Sequence, residues 1–290
     1  MGLNIPIAIL LIIAAGAAQN VLKKGYFGKV KNGGIFTYSL FSVLTACLLF
    51  GAVWCFSSGS TMLDLAVIIP YAVMFAVGYG TAVVFTMIAL KCGSLSLTSL
   101  IVSFALIIPT MYGIVFDNDP ISIPMIIGLI LLAVSLVLIN AQKGEAKISL
   151  GWTIAVTLAF IGNGLCSTVQ TVQSRTFGGA YDGVFMFIAL SIVVVILLVC
   201  VLTKERTLVA HSFKGGWHTM IIAGAANWLV NLLVMITSTM VAKSLFFPII
   251  SAGGIVATWL VSKLLYKEKL SVNQNIGMIL GLASIILLNL

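Results

Sequence analysis

The 290-residue chain carries 15 Lys or Arg and 7 Asp or Glu, and these few charges leave ten long intervals with none at all. The intervals are 1–22, 32–63, 65–90, 92–116, 120–142, 148–174, 183–203, 215–242, 244–262 and 270–290. Each supplies the ~20 residues that cross a hydrocarbon core of ~30 Å as a helix. With 61% hydrophobic residues, 8% charged residues and a mean hydropathy of +1.22, an aqueous globular domain is excluded. Alternating ten-residue segments are absent, so the helical solution to backbone pairing in lipid is expected rather than a barrel.

Ten helices are therefore predicted, at roughly 3–22, 33–56, 65–90, 93–116, 121–140, 150–173, 183–203, 217–240, 244–265 and 271–289. The net charge of +8 does not point to nucleic acid, because the basic residues sit at helix ends, where they anchor and orient a bundle. Five cysteines lie scattered without CxxC spacing, so neither a disulfide framework nor a metal site is indicated. The N-terminus lacks the basic region of a signal peptide, so the first helix is expected to be retained.

The chain reads as one unit written twice. The run from Ala89 to Pro109, ALKCGSLSLTSLIVSFALIIP, has an echo from Met240, MVAKSLFFPIISAGGIVATWL. Gly128 matches Gly277 and Asn140 matches Asn289 at an offset of 149, while Phe27-Gly28 matches Phe177-Gly178 at 150. The first repeat spans 1–142, a polar linker 143–149, and the second repeat 150–290. Five helices per repeat is an odd number, so the second copy enters from the opposite side and the repeats are inverted. The fold class expected is all-α integral membrane, with ten transmembrane helices as two inverted five-helix repeats. In many secondary transporters that arrangement places a solute site near the midplane, reached from either side in turn.

The signature AL-x-x-x-S-x-x-x-x-S-L-I-x-x-x-x-x-x-P, followed by a charged turn and a Gly-containing last helix, resembles the EamA-type transporters of the drug/metabolite transporter superfamily. The resemblance covers the whole chain and is carried by Ala89-Leu90, Ser99-Leu100-Ile101 and Pro109, and by Glu268 at the acidic turn of the second copy. The first copy departs from it with Asp117-Asn118-Asp119, and the second with Thr258 opposite Pro109. The resemblance implies a cavity lined by eight helices, with the last helix of each half peripheral, and cytoplasmic termini. Charge counting points the other way: 13 Lys or Arg follow helices one, three, five, seven and nine, and only Arg175 and Lys243 lie opposite. Orientation stays open between the two.

All seven acidic residues are expected in loops, which disfavours cation–proton exchange at an embedded carboxylate. Amides and hydroxyls are the available chemistry. Asn163, Ser167, Gln170 and Ser174 share one face of helix six, and Asn227 and Asn231 are one turn apart on helix eight beside Trp228. Helix one offers Gln19 and Asn20, and helix three offers Tyr71, Tyr79 and Thr86. Unpartnered amides cost a few kcal/mol in an apolar medium, so they face each other or a wet cavity. Lys91 and Lys243 stand in the two tight helix connections, where each either attracts an anionic group or snorkels to headgroups; Lys243 resembles in placement the helix-nine lysine of nucleotide-sugar transporters. The candidate solute-binding set is Gln19, Asn20, Tyr79, Asn163, Gln170, Asn227, Trp228, Asn231 and Lys243.

His211 and His218 are expected on the surface, and Gly277 to Gly281 forms a GxxxG able to seat a dimer partner on the last helix. The expected activity is movement of a small neutral, zwitterionic or anionic metabolite, such as an amino acid, across the cell membrane, with export the direction the resemblance favours. Flipping of a lipid-linked intermediate and a non-transporting scaffold are the alternatives. No cofactor and no metal is expected, and enzymatic chemistry is disfavoured by the lack of an embedded acid–base pair or activated nucleophile.

Overall fold

The computed structural model describes residues 4–57, 65–116, 122–140, 149–238, 243–267 and 270–287. Among them there is no strand. The helices are α1 (Ile5–Lys29), α2 (Ile35–Ser57), α3 (Leu65–Cys92), α4 (Leu95–Ser103), α5 (Ile107–Phe116), α6 (Ile123–Asn140), α7 (Leu150–Phe177), α8 (Asp182–Cys200), α9 (Val209–Ser238), α10 (Lys243–Leu265) and α11 (Val272–Leu287). A 3-10 turn, Phe104–Leu106, joins α4 to α5, so the two form one bent rod. Six helices, α1, α2, α3, α7, α8 and α9, hold stretches long and apolar enough to cross a membrane, and α6, α10 and α11 hold shorter apolar helices. Large apolar side chains point outward all round, among them Leu10 (65% exposed), Ile123 (75%) and Ile279 (66%). Lipid, not water, suits such a surface.

Helix starts follow local chemistry. Asn4, Ser94, Ser122 and Ser149 each accept a hydrogen bond at a side-chain oxygen from the backbone N–H three residues on, opening α1, α4, α6 and α7. Gly178, at φ 58°, ends α7 in the left-handed conformation that glycine tolerates. Proline explains the bend. Pro109 has no N–H to give Ala105 and its ring opposes that carbonyl, and the chain tightens into 3-10 geometry at Phe104–Leu106. The single helix expected over 93–116 is therefore two.

Two other expectations are corrected. α1 runs past 22 through Lys23 and Lys24 to Lys29, because Lys24 Nζ finds the carbonyl oxygens of Leu90 (2.9 Å) and Gly93 at the end of α3. The acidic residues are not all in loops: Glu205 ends a π-helical turn, Val201–Glu205, that continues α8. It is 8% exposed and caps another helix from afar. Its Oε1 accepts from Phe36 N (3.1 Å), and its Oε2 from Thr37 N (2.8 Å) and Thr37 Oγ1 (2.9 Å). Ser212 Oγ takes the N–H of Gly34 (2.8 Å) beside it. The first turn of α2 is thus completed by residues from the second half of the chain.

Helices from the two halves interleave. α3 packs along α7 and α1 along α9; α2 packs on α8 and α9, and α3 also on α8; α1 meets α10, and α4 and α5 meet α7. α4 also lies against α10, and α6 against α11. The α3–α7 crossing is close enough that a Cβ on Gly162 would fall 2.6 Å from the carbonyl oxygen of Gly78. Gly281 faces Phe104, Leu100 and Ser135, while Ser135 Oγ donates to Gly277 O (2.6 Å) and Ser284 Oγ to Gly128 O (2.8 Å). The small-residue face of α11 is filled by the chain's own α6 and α4.

Candidate functional site

α3 and α9 bring three of the expected residues into one relay. Asn231 Nδ2 donates to Asn227 Oδ1 (3.2 Å) and to the Asn227 carbonyl (2.8 Å), and Asn227 Nδ2 donates to Tyr79 Oη (2.7 Å). The one-turn spacing of the asparagines makes the first link, and α3 supplies the phenol across the interface. The relay is directional. With its oxygen already accepting, the Tyr79 hydroxyl keeps its proton to give to a further acceptor. Tyr79 is held by a stack on Phe75, ring centroids 5.5 Å apart, and packs with Trp228 and Cys166 around the same apolar cluster. The indole Nε1 of Trp228 is buried and has no acceptor among the described residues. Among the described residues, the Tyr79 hydroxyl and the Trp228 indole, packed against the same cluster, are thus two donors without an acceptor.

α1, α4 and α7 form the second polar group. Asn20 Nδ2 donates to Ser99 Oγ (3.2 Å), and Asn163 Nδ2 to the Val102 carbonyl (3.3 Å) next to the 3-10 turn. Asn163 satisfies backbone that the bend exposes, which is how broken helices persist at membrane depth. Cys166 Sγ donates in turn to the Asn163 carbonyl (3.2 Å). Ser103, one turn beyond Ser99, returns its hydroxyl to the Ser99 carbonyl (2.8 Å).

The remaining expected residues are placed differently. Gln19 and Gln170 are partly buried and make no side-chain hydrogen bond among the described residues. Lys243 opens α10, and its side chain lies outside the described residues. Lys91 is exposed with its Nζ 5.8 Å from the Phe27 ring centroid, an interfacial cation–π contact. His211 and His218 are exposed, as expected, and both lie on α9, which begins at Val209 and so takes in His211 as well; His211 Nε2 lies 3.1 Å from the Lys31 carbonyl. A groove of about 410 Å³ lies along α8, lined by Phe187, Ile188, Ser191, Ile192, Val195 and Ile196. Its hydroxyl is spent on the Phe187 carbonyl (2.8 Å), so nothing there would recognise a polar solute.

Sequence reasoning missed Gln173, Trp259 and Glu205. Gln173 is fully buried, with neither amide atom partnered among the described residues, and its place three residues after Gln170 was the available signal. Trp259 Nε1 is also buried without an acceptor among the described residues, and Lys263 Nζ sits 4.7 Å from its ring centroid. No set of three His, Cys, Asp or Glu fit to hold a metal occurs among the described residues.

No family model and no curated protein matches the chain. Among solved structures similar to it, one crystal structure aligns over 97% of this chain and 97% of its own, with a TM-score of 0.63 at 13% identity. At that identity the likeness is one of fold.

Proposed function

We propose that the chain is an EamA-like secondary transporter that moves a small neutral, zwitterionic or anionic metabolite across the membrane by alternating access. The relay Asn231–Asn227–Tyr79, with the Trp228 indole beside it, is the observation that carries this reading. It offers hydrogen-bond donors in the interior of an otherwise apolar bundle, where a solute acceptor such as a carboxylate would complete them. The interleaved packing supports the inverted repeat. Exchanging each helix for its counterpart five spans on turns the α3–α7 contact into α9–α1, α2–α9 into α8–α3, and α1–α10 into α7 with α4 and α5. Ten crossings follow when the bent α4–α5 rod counts as one.

The test is thermal unfolding of the detergent-purified protein against amino acids, organic acids, nucleotides, sugar phosphates and cationic dyes. A solute at 100 times its Kd adds about 2.7 kcal/mol if it binds only the folded state. Stabilisation by a carboxylate-bearing solute, weakened about tenfold in affinity by Tyr79→Phe, is the expected result. Stabilisation by the cationic dyes alone, or indifference of every hit to Tyr79→Phe, overturns the reading.

A further inference from the structure

α4 is a nine-residue helix, Leu95–Ser103, and side chains of α1, α7 and α10 bond to it. Asn20 of α1 reaches Ser99 (3.2 Å), and Trp152 of α7 donates its indole N–H to Thr98 Oγ1 (3.0 Å). Ser262 of α10 shares a short hydroxyl contact with Ser96. Lys24 fixes the connection before it through the Gly93 carbonyl. Beyond Ser103 comes the 3-10 turn, and then α5, whose Ile108 fills the space over Gly164 of α7.

We propose that α4 is a movable gate over the α1-end of the polar core, hinged at Phe104–Leu106, and that Asn20, Trp152 and Ser262 are the pins that hold it shut. This rests on the transporter reading and names how its site is closed on one face. A 3-10 stretch inside a longer helical run is a place where the axis bends at low cost. The Asn163 bond to Val102 O, on the last turn of α4 beside the hinge, is a further α7 contact that opening releases.

The pins decide the position because of the solvent. α4 also buries Leu97, Leu100 and Ile101 against Trp152, Val156 and Ile255. In a bilayer such contacts gain nothing from the hydrophobic effect, because lipid tails are equally apolar, so directional bonds carry a larger share of what holds the helix in place. Directional bonds remain. Two of the three come from α7 and α10, in the second half of the chain, whereas α4 belongs to the first, so relative movement of the halves strains them. Ser99 and Ser103 travel with α4, and its opening would uncover Asn20 and Asn163 together.

Two native cysteines provide the test. Cys166 and Cys47 are both 5% exposed; Cys166 of α7 lies beside Asn163, whose amide reaches α4, and Cys47 of α2 lies against Ser191 of α8 (3.4 Å). Modification of each by a charged maleimide is followed by peptide mass spectrometry in nanodiscs. Interhelical bonds in membranes are each worth about a threefold population shift, so Thr98→Val with Ser262→Ala raises the Cys166 rate roughly eightfold. Cys47 keeps its rate. Equal acceleration of both cysteines, or of neither, overturns the gate. Ser284→Ala removes a comparable bond between α11 and α6 and leaves Cys166 unchanged; acceleration there also overturns it. Where the double variant fails to fold, Trp152→Phe and Thr98→Val singly are each expected to give about threefold, and no change in either counts against the gate. The labelling needs no substrate. A Cys166 response without any stabilising solute would sink the transporter reading and leave the hinged segment standing.

Discussion

Replacing Glu205 tests whether α2 depends on a cap from the other half of the chain. Glu205→Ala removes the acceptor of two backbone N–H groups and one hydroxyl, at 3.1, 2.8 and 2.9 Å, from a position only 8% exposed. Losing an N-cap costs about 0.5–2 kcal/mol, and a buried donor left without a partner about 1–3 kcal/mol. Water can reach part of the site at the helix end, so about 3 kcal/mol is expected rather than the full sum. For a chain of this size that lowers the unfolding temperature by about 5 °C, read by thermal unfolding in detergent. Glu205→Gln keeps one acceptor oxygen but turns an NH₂ group toward the other donors, and should lose about half as much. Thr37→Val removes only the hydroxyl and should lose least, about 0.5–1 kcal/mol. The order Ala, Gln, Val follows from the geometry. An Ala variant within 1 °C of the unaltered protein, or a Gln variant less stable than Ala, would refute the capping argument.

Other substitutions probe the packing. Gly162→Ala sets a Cβ against backbone on α3, 2.6 Å from Gly78 O and 2.7 Å from Ala82 N, and should destabilise by about 2–3 kcal/mol in the same assay. Gly254→Ala meets nothing within 4 Å inside α10 and should be neutral or stabilising by up to about 1 kcal/mol, so equal losses at the two glycines would show that the α3–α7 seam is looser than described. Lys24→Met keeps the apolar stem but gives up the bonds to Leu90 and Gly93, and a loss of about 1–2 kcal/mol in a denaturant titration is expected.

Much of the helical layout was legible because charge is so sparse. The uncharged intervals carry the helices, and Ser94, Ser149 and Gly178 mark ends by chemistry that acts within a few residues. Helix ends extended by distant partners were not legible. Lys23 and Lys24 look like a boundary in sequence, yet α1 continues because its lysine is used by carbonyls nearly 70 residues away. Glu205, flanked by Lys204 and Arg206, reads as a solvated loop residue, and nothing local reveals that α2 needs it. Within the site, Asn227 and Asn231 could be paired by their spacing, and their link to Tyr79 was expected only as a shared cavity. Asn20 and Asn163 are candidate solute ligands by residue type, and in the structure the Nδ2 of each donates to α4. An amide's residue type states that it needs a partner and leaves open whether the partner is solute or protein.

The distant cap on α2 also bears on how the chain is made. Glu205 lies 168 residues after Thr37, an interval that takes on the order of 10–30 s to synthesise at ~5–20 residues per second. Throughout that time the first turn of α2 must take its hydrogen bonds from water at the membrane surface, and Gly34 from some group other than Ser212. The helices of the first half, α1–α6, precede Glu205 in synthesis, but the first turn of α2 is finished only when α8 and the Glu205 turn after it are in place. A ribosome that stalls between the halves therefore leaves a product whose α2 begins without its cap.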